Sequence, residues 1–295
     1  MVSGAHAVDA VIVSGDRSPG YVEAAQTIAA EFGKAQPERG EPPVFYVTEG
    51  QAQDGMTFQG VKVIVTLGSE ALRRVLSKEV RVPIVAALIP KAGLERIVRE
   101  SAHKPFAPLS ALYLDQPFPR QIELIRLALP NARKIGVLWG AESGLQTSAL
   151  QSAMQAKGLE LVNGYVGGGS TLFAGLKAVL DDTDALLAVP DPLVYNGSSI
   201  SNVLLATYRA RVPVIAFSPA YVRAGALLSL HSTPRQIGLQ AFAIARALSQ
   251  GASGPMLQYP SDFSVVLNDQ VARSLELLLD EKSLTERLKR VERKP

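Results

Sequence analysis

The chain of 295 residues carries 30 basic and 27 acidic side chains, a formal net charge of +3, and 47% hydrophobic residues. That length holds two domains of ~100 to 200 residues each, and the apolar content is enough to fill two cores. The absence of cysteine excludes thiolate nucleophiles, disulfides and sulfur-ligated zinc, and the basic excess, partly gathered at 282–294 with no interleaved aromatics, describes a solvated helix end rather than a nucleic-acid surface.

No stretch reaches the ~18 consecutive apolar residues of a membrane-spanning helix. Residues 1–7 are short and polar, without the basic start and apolar stretch of a secretory leader, and Val8 opens the first strand almost at once. Two locations fit: the cytosol, or outside the inner membrane with the leader absent from this chain.

In chain order, short β-branched runs alternate with longer amphipathic segments, the pattern of parallel sheets covered by helices. Strands are expected at 10–13, 44–47, 61–67 and 84–88, with helices at 21–33 and 69–76, Gly33 taking a left-handed conformation beyond the first helix. The stretch 103–119, with Pro105, Pro108, Pro117 and Pro119, breaks the alternation and predicts a crossover to a second domain. A second series follows, with strands at 134–139, 160–165, 185–189 and 213–217 and helices at 120–129, 145–157, 172–180 and 198–211, Gly158 and Pro130 marking helix ends. Beyond it come a short helix after Phe217, a strand at 226–230, a helix at 234–250, a Gly/Pro-rich turn at 251–255, and a strand and helix at 263–279. The expected fold class is therefore α/β, two Rossmann-like lobes with parallel sheets joined by a hinge. The expected division is 8–113 plus 232–253 for one lobe and 114–231 plus 254–289 for the other.

Ligands of open parallel sheets sit beyond the carboxyl ends of the strands. Those ends bring forward Ser14 and Asp16, Ser69, Trp139, Asp191 and Tyr195, and Ser218 and Tyr221 as ligand-binding candidates. Each has a structural alternative. Ser69 and Ser143 suit helix N-caps, Asp16 suits a turn, and Trp139 suits a core. Asp191 stands between Pro190 and Pro192, which stiffen the loop and fix where it points. On this reading Asp191→Ala and Trp139→Ala weaken binding with little loss of folding.

Nothing points to catalysis, a cofactor or a metal. His6, His103 and His231 match no metal-ligand spacing, and there is no GxSxG elbow, phosphate-binding loop or GxGxxG after the first strand. The glycine run 167–169 lacks the lysine of a phosphate loop and is expected to form a flexible turn.

Four blocks, RQIELIRLALPNARKIGVLW (120–139), DALLAVPDPLVYN (184–196), VPVIAFSPAYVRAGALLSL (212–230) and YPSDFSVVLNDQVARSLEL (259–277), follow one another in the order and spacing of a known family. In these, and more loosely in VKVIVTLGSEALRRVL and VPIVAAL upstream, the chain resembles the ABC-transporter substrate-binding proteins that include tryptophan- and tyrosine-binding lipoproteins, of type I periplasmic-binding-protein fold. The resemblance implies hinged lobes with a small molecule captured in the interlobe cleft and no enzymatic activity. It further implies delivery to ABC permease membrane subunits, a periplasmic or lipid-anchored location with the leader removed, a monomer, and no nucleic acid. A periplasmic ligand sensor signalling to a receptor or kinase is the alternative. Where aromatic-amino-acid binders read Pro-Thr-Asp-Asn, this chain reads Pro190, Asp191, Pro192 and Leu193, and where many members carry Asp-Pro after the fourth strand it reads Ile89 and Pro90. Both departures argue against an α-amino acid, whose ammonium needs a carboxylate when buried.

Overall fold

The computed structural model describes residues 9–35, 44–47, 58, 60–101 and 107–293, with the backbone alone at 44–47. His6, His103, Pro105, Lys294 and the expected domain start at residue 8 lie outside the described residues. In chain order the first elements are β1 (Ala10–Ser14), α1 (Pro19–Ala35), β2 (Val44–Val47), β3 (Val63–Leu67), α2 (Ser69–Leu76), β4 (Ile84–Ile89), α3 (Lys91–Glu100) and β5 (Leu109–Tyr113). Then come α4 (Phe118–Ala128), β6 (Lys134–Trp139), a single 3-10 turn (Ser143–Gln146), α5 (Thr147–Gln155), β7 (Glu160–Tyr165), α6 (Leu172–Leu180), β8 (Ala185–Leu187), α7 (Ile200–Arg209), β9 (Val214–Ala216), α8 (Pro219–Ala224) and β10 (Leu228–His231). The chain ends with α9 (Pro234–Ser249), β11 (Leu257–Gln258), β12 (Ser264–Leu267), α10 (Asp269–Ser274) and α11 (Glu281–Glu292).

These elements form two compact units, Met1–Asp115 with Ser232–Asp262, and Gln116–His231 with Phe263–Pro295, so the chain passes from one to the other three times. The segment 254–262, expected with the second lobe, belongs to the first unit. The reason is β11, whose Leu257 and Gln258 pair in parallel with Ala111 and Leu112 of β5. β5 is itself a correction, since the proline-rich stretch expected to be a plain crossover contains a core strand. Its prolines flank the strand, where missing N–H groups break no ladder.

The first unit is a six-stranded sheet in the order β11-β5-β4-β3-β1-β2, every pair parallel. β1 and β3 are buried at every position, as a sheet covered on both faces requires. On one face α1 packs against α9. Gly238 of α9 lies where a Cβ would come within 2.9 Å of the Ala24 carbonyl oxygen and 2.8 Å of Thr27 Cβ, so only glycine allows this approach. Around that contact Ile28, Phe32, Ile237, Ala241 and Ile244 are buried. α9 begins with a capping box: the Thr233 hydroxyl accepts from the Gln236 N–H while the Gln236 side chain accepts from the Thr233 N–H. Thr233→Ala is expected to cost ~1 kcal/mol in urea-induced unfolding. α3, preceded by Pro90 with no capping side chain of its own, takes its cap from a distance. Asp115 Oδ2 accepts from the Lys91 N–H at 2.7 Å, and burial raises the Asp115 carboxyl above its ordinary range.

The second unit is a six-stranded sheet in the order β12-β10-β9-β8-β6-β7, parallel except for the β10/β12 pair. Side-chain alternation sends Ile135, Val137 and Trp139 of β6 to one core and Leu138 to the other. α6 lies close on β6 and β7 because glycines line the contact. A Cβ at Gly136 would sit 2.1 Å from Val179 Cγ1, and one at Gly164 would sit 2.5 Å from the Gly175 carbonyl oxygen. The basic segment near the C-terminus is more than a solvated end. α11 buries Leu284 and Leu288, and Glu292 accepts from Nε of the buried Arg120, whose guanidinium lies 4.4 Å over the Phe263 ring. Gly158 has the expected positive φ, 71°, whereas Gly33 lies inside α1, which continues to Ala35.

Candidate functional site

In both sheets the strand order reverses once. The chain goes outward from β1 to β2 and then back across to β3 in the first unit. In the second it goes from β6 to β7 and back across to β8. At such a reversal the loops leaving the two neighbouring strands diverge, which opens a crevice at their carboxyl ends. The residues after β1, β3, β6 and β8 are therefore the candidates defined by topology.

In the first unit the Gly15 N–H donates to the Leu67 carbonyl at 2.9 Å, holding the loop after β1 against the end of β3. Ser14, almost fully buried, donates through Oγ to the Asp16 carbonyl at 2.7 Å, and Asp16 Oδ1 accepts from the Ser18 N–H at 2.8 Å. Asp16 thus shapes its own turn while remaining partly exposed. Ser69 is the first helical residue of α2, and the N-cap is Gly68. Glycine is required there twice over: φ is 86°, and a Cβ would lie 2.7 Å from the Tyr21 ring. Tyr21 was passed over in the sequence. Burial, and secondarily the Asp16 charge, raise its hydroxyl pKa.

In the second unit the loops after β6 and β8 are tied together by a carboxylate. Asp191, only 3% exposed, accepts through Oδ2 from the Ser143 N–H at 2.8 Å, the Ser143 hydroxyl at 2.9 Å and the Glu142 N–H at 3.2 Å. Its Oδ1 accepts from the Leu193 N–H at 2.9 Å. Ser143 Oγ in turn accepts from the Gly140 N–H at 3.0 Å, and a Cβ at Gly140 would fall 2.3 Å from Asp191 Oδ1. Among the described residues, the polar contacts of Asp191 are with its own two loops. Trp139 has no exposed surface; its ring lies in the core with Leu150 and Met154, and its indole N–H donates to Asn163 Oδ1 at 2.6 Å. The expected aromatic wall at Trp139 is replaced by a structural indole.

Aromatic surface is supplied by the neighbouring loops. Phe217, at the end of β9, stands edge-on to Tyr221 of α8 at 5.0 Å and to Tyr195 at 5.8 Å. Phe217 and Tyr221 are partly exposed, whereas Tyr195 is buried and its hydroxyl pKa is raised by desolvation first and by Tyr221 and Asp191 second. Ser218 caps α8, accepting from the Ala220 N–H at 3.3 Å. Within the second unit the structure thus brings Asp191 to Ser143 and Tyr195 to Tyr221. Within the first it brings Ser14 and Asp16 into one turn, with the Gly68–Ser69 loop reached through Tyr21. Gln146, also passed over, ends the 3-10 turn after β6 with its side chain buried. The glycine run 167–169 is a tight turn of three positive-φ residues closed by a Gly167–Ser170 bridge. Among the described residues no group of three His, Asp or Glu side chains is arranged to hold a metal ion, and no helix is long and apolar enough to cross a membrane.

Two α/β units, each with a reversal of strand order and joined by three crossings, define a protein of type I periplasmic-binding fold. The sequence profile of the ABC transporter substrate binding protein family matches residues 51–291, and the chain belongs to that family. A tyrosine-binding protein of Clostridioides difficile (strain R20291) is 22% identical over 207 residues, spanning 68% of this chain and 58% of the relative's own length. Among solved structures, the ligand-free, open form of a substrate-binding protein with adhesive properties from Clostridium difficile superposes with a TM-score of 0.71 at 16% identity, covering 92% of this chain and 96% of that one. A domain from Streptococcus pneumonia in complex with L-Trp superposes with a TM-score of 0.65 at 19% identity, covering 94% of this chain and 98% of that one. This chain is accordingly a substrate-binding protein of the ABC transporter family.

Proposed function

We propose that this chain captures a small molecule through the loops at its two switch points and delivers it, chemically unaltered, to the membrane permease of an ABC-type uptake system. It acts outside the inner membrane, free or lipid-anchored, as a monomer without cofactor or nucleic-acid partner. The observation that supports this reading is the reversal of strand order in each sheet, with polar side chains at the reversal in both units and the Phe217–Tyr221 pair after the neighbouring β9. Capture can be coupled to transport when the bound molecule favours one conformation of the protein that the permease distinguishes. Relatives named for tyrosine and seen with L-Trp make aromatic molecules the first probes.

Native mass spectrometry of gently purified protein is expected to show one bound small molecule, released on denaturation with its mass unchanged after prolonged incubation. A product of altered mass would make the protein an enzyme and end this reading.

A further inference from the structure

The switch-point loops of the second unit contain two buried polar side chains with an atom left unpartnered. Gln146 is 8% exposed, and its Nε2 has no hydrogen-bond partner among the described residues. Tyr195 is 5% exposed, and its hydroxyl is equally without a partner among the described residues. The two flank one contact, because Gln146 ends the turn that begins at Ser143, and Tyr195 donates its backbone N–H to the Asp191 carbonyl at 2.8 Å. Leaving a buried polar group unpaired is costly, so two of them in the loops that Asp191 ties together call for a compensating partner.

The carboxylate at the same place is in the opposite condition. Both oxygens of Asp191 accept from the protein's own donors, and its Oδ1 leaves no room even for a methyl group on Gly140. The acidic group is committed and the uncommitted groups are donors. Against Tyr195, Phe217 and Tyr221 stand at 5.8 and 6.3 Å between ring centroids, and both residues are partly exposed.

We propose that Gln146 Nε2 and Tyr195 Oη donate to a carboxylate of the bound molecule, that its aromatic body packs on Phe217 and Tyr221, and that the second unit has no requirement for an ammonium group. The preferred ligand class is therefore an aromatic carboxylate that needs no α-amino group. This assignment rests on the reading that the switch-point loops bind a small molecule.

The test is calorimetric titration of the full chain with L-tyrosine, L-tryptophan, their amine-free counterparts hydroxyphenylpropanoate and indolepropanoate, and the carboxyl-free amines tyramine and tryptamine. At least one amine-free acid is expected to bind as tightly as its parent amino acid or more tightly, with the amines weaker by about 100-fold, the scale of losing hydrogen bonds to a charged acceptor. Tyr195→Phe should weaken the acid by about tenfold while its melting temperature holds or rises, because the substitution removes a hydroxyl that has no partner in the free protein. Gln146→Glu, which sets an anion against the carboxylate, should weaken it by about 100-fold. Amines binding as well as acids, parent amino acids binding far better than the amine-free acids, or both variants binding the acid like the unsubstituted protein would overturn the assignment. If none of these probes binds, the ligand class is overturned, while a small molecule found by native mass spectrometry would leave the transport reading standing.

Discussion

Replacing Trp139 by alanine is expected to lower the stability of the second unit by ~3–5 kcal/mol, the range for removing a large aromatic from a packed core. Trp139 is fully buried in the core that also holds Leu150 and Met154 of α5, and its indole N–H is held by Asn163. Alanine would leave both a cavity and an unpaired amide oxygen at Asn163. Trp139→Phe, which keeps most of the volume, should cost less than half as much. Urea unfolding followed by circular dichroism measures this. Since Trp139 is the only tryptophan, fluorescence of the unsubstituted protein follows the second unit alone, which separates its transition from that of the first. A loss below ~1 kcal/mol would show that the ring is not packed as described. The sequence-based expectation was the reverse, a binding defect with little loss of folding, and the physical reason for the change is parity. Residues 135, 137 and 139 share one face of β6, so once Ile135 and Val137 face a core, Trp139 must face it too.

The alternation of strands and helices was readable along the chain because buried parallel strands are apolar throughout and their helices are amphipathic. What could not be read is the consequence of spatial order. β5 is hidden because its flanking prolines dominate the local pattern, and the segment that holds β11 goes with the first unit because its partner strand lies more than a hundred residues upstream. Ser69 stands one place inward from the cap because Gly68 lies against the Tyr21 ring, a contact between distant segments. α3 and α11 lie outside the expected helices, although each buries an apolar stripe, with Ala92, Leu94 and Ile97 in one and Leu284 and Leu288 in the other. At the candidate site, the strand-end rule names from sequence the loops after β1, β3, β6 and β8, and these are the strands at which the order reverses. The roles within them depend on which loops adjoin, and that follows from β6 and β8 being neighbours in the sheet.

Asp191→Ala is expected to show the difference between contact and positioning. The local cue was correct in kind, since an aspartate between two prolines is held in one direction, and that direction is toward Ser143 and Glu142. Removing the carboxylate strands the N–H groups of Glu142, Ser143 and Leu193 and the Ser143 hydroxyl, a loss on the order of 3 kcal/mol because the acceptor is charged and buried. Both loops should then loosen together. Amide exchange at 140–146 and 190–196 is expected to accelerate in parallel, and affinity for the co-purified molecule should fall in step with melting temperature. Gly140→Ala offers an independent route to the same state, since its methyl group and the Asp191 carboxylate cannot occupy their present positions together. A side chain that touched the ligand directly would behave differently, losing affinity at constant melting temperature with exchange confined to its own loop. That result for Asp191→Ala would return the carboxylate to the ligand and remove the reason for assigning recognition in this unit to Gln146 and Tyr195.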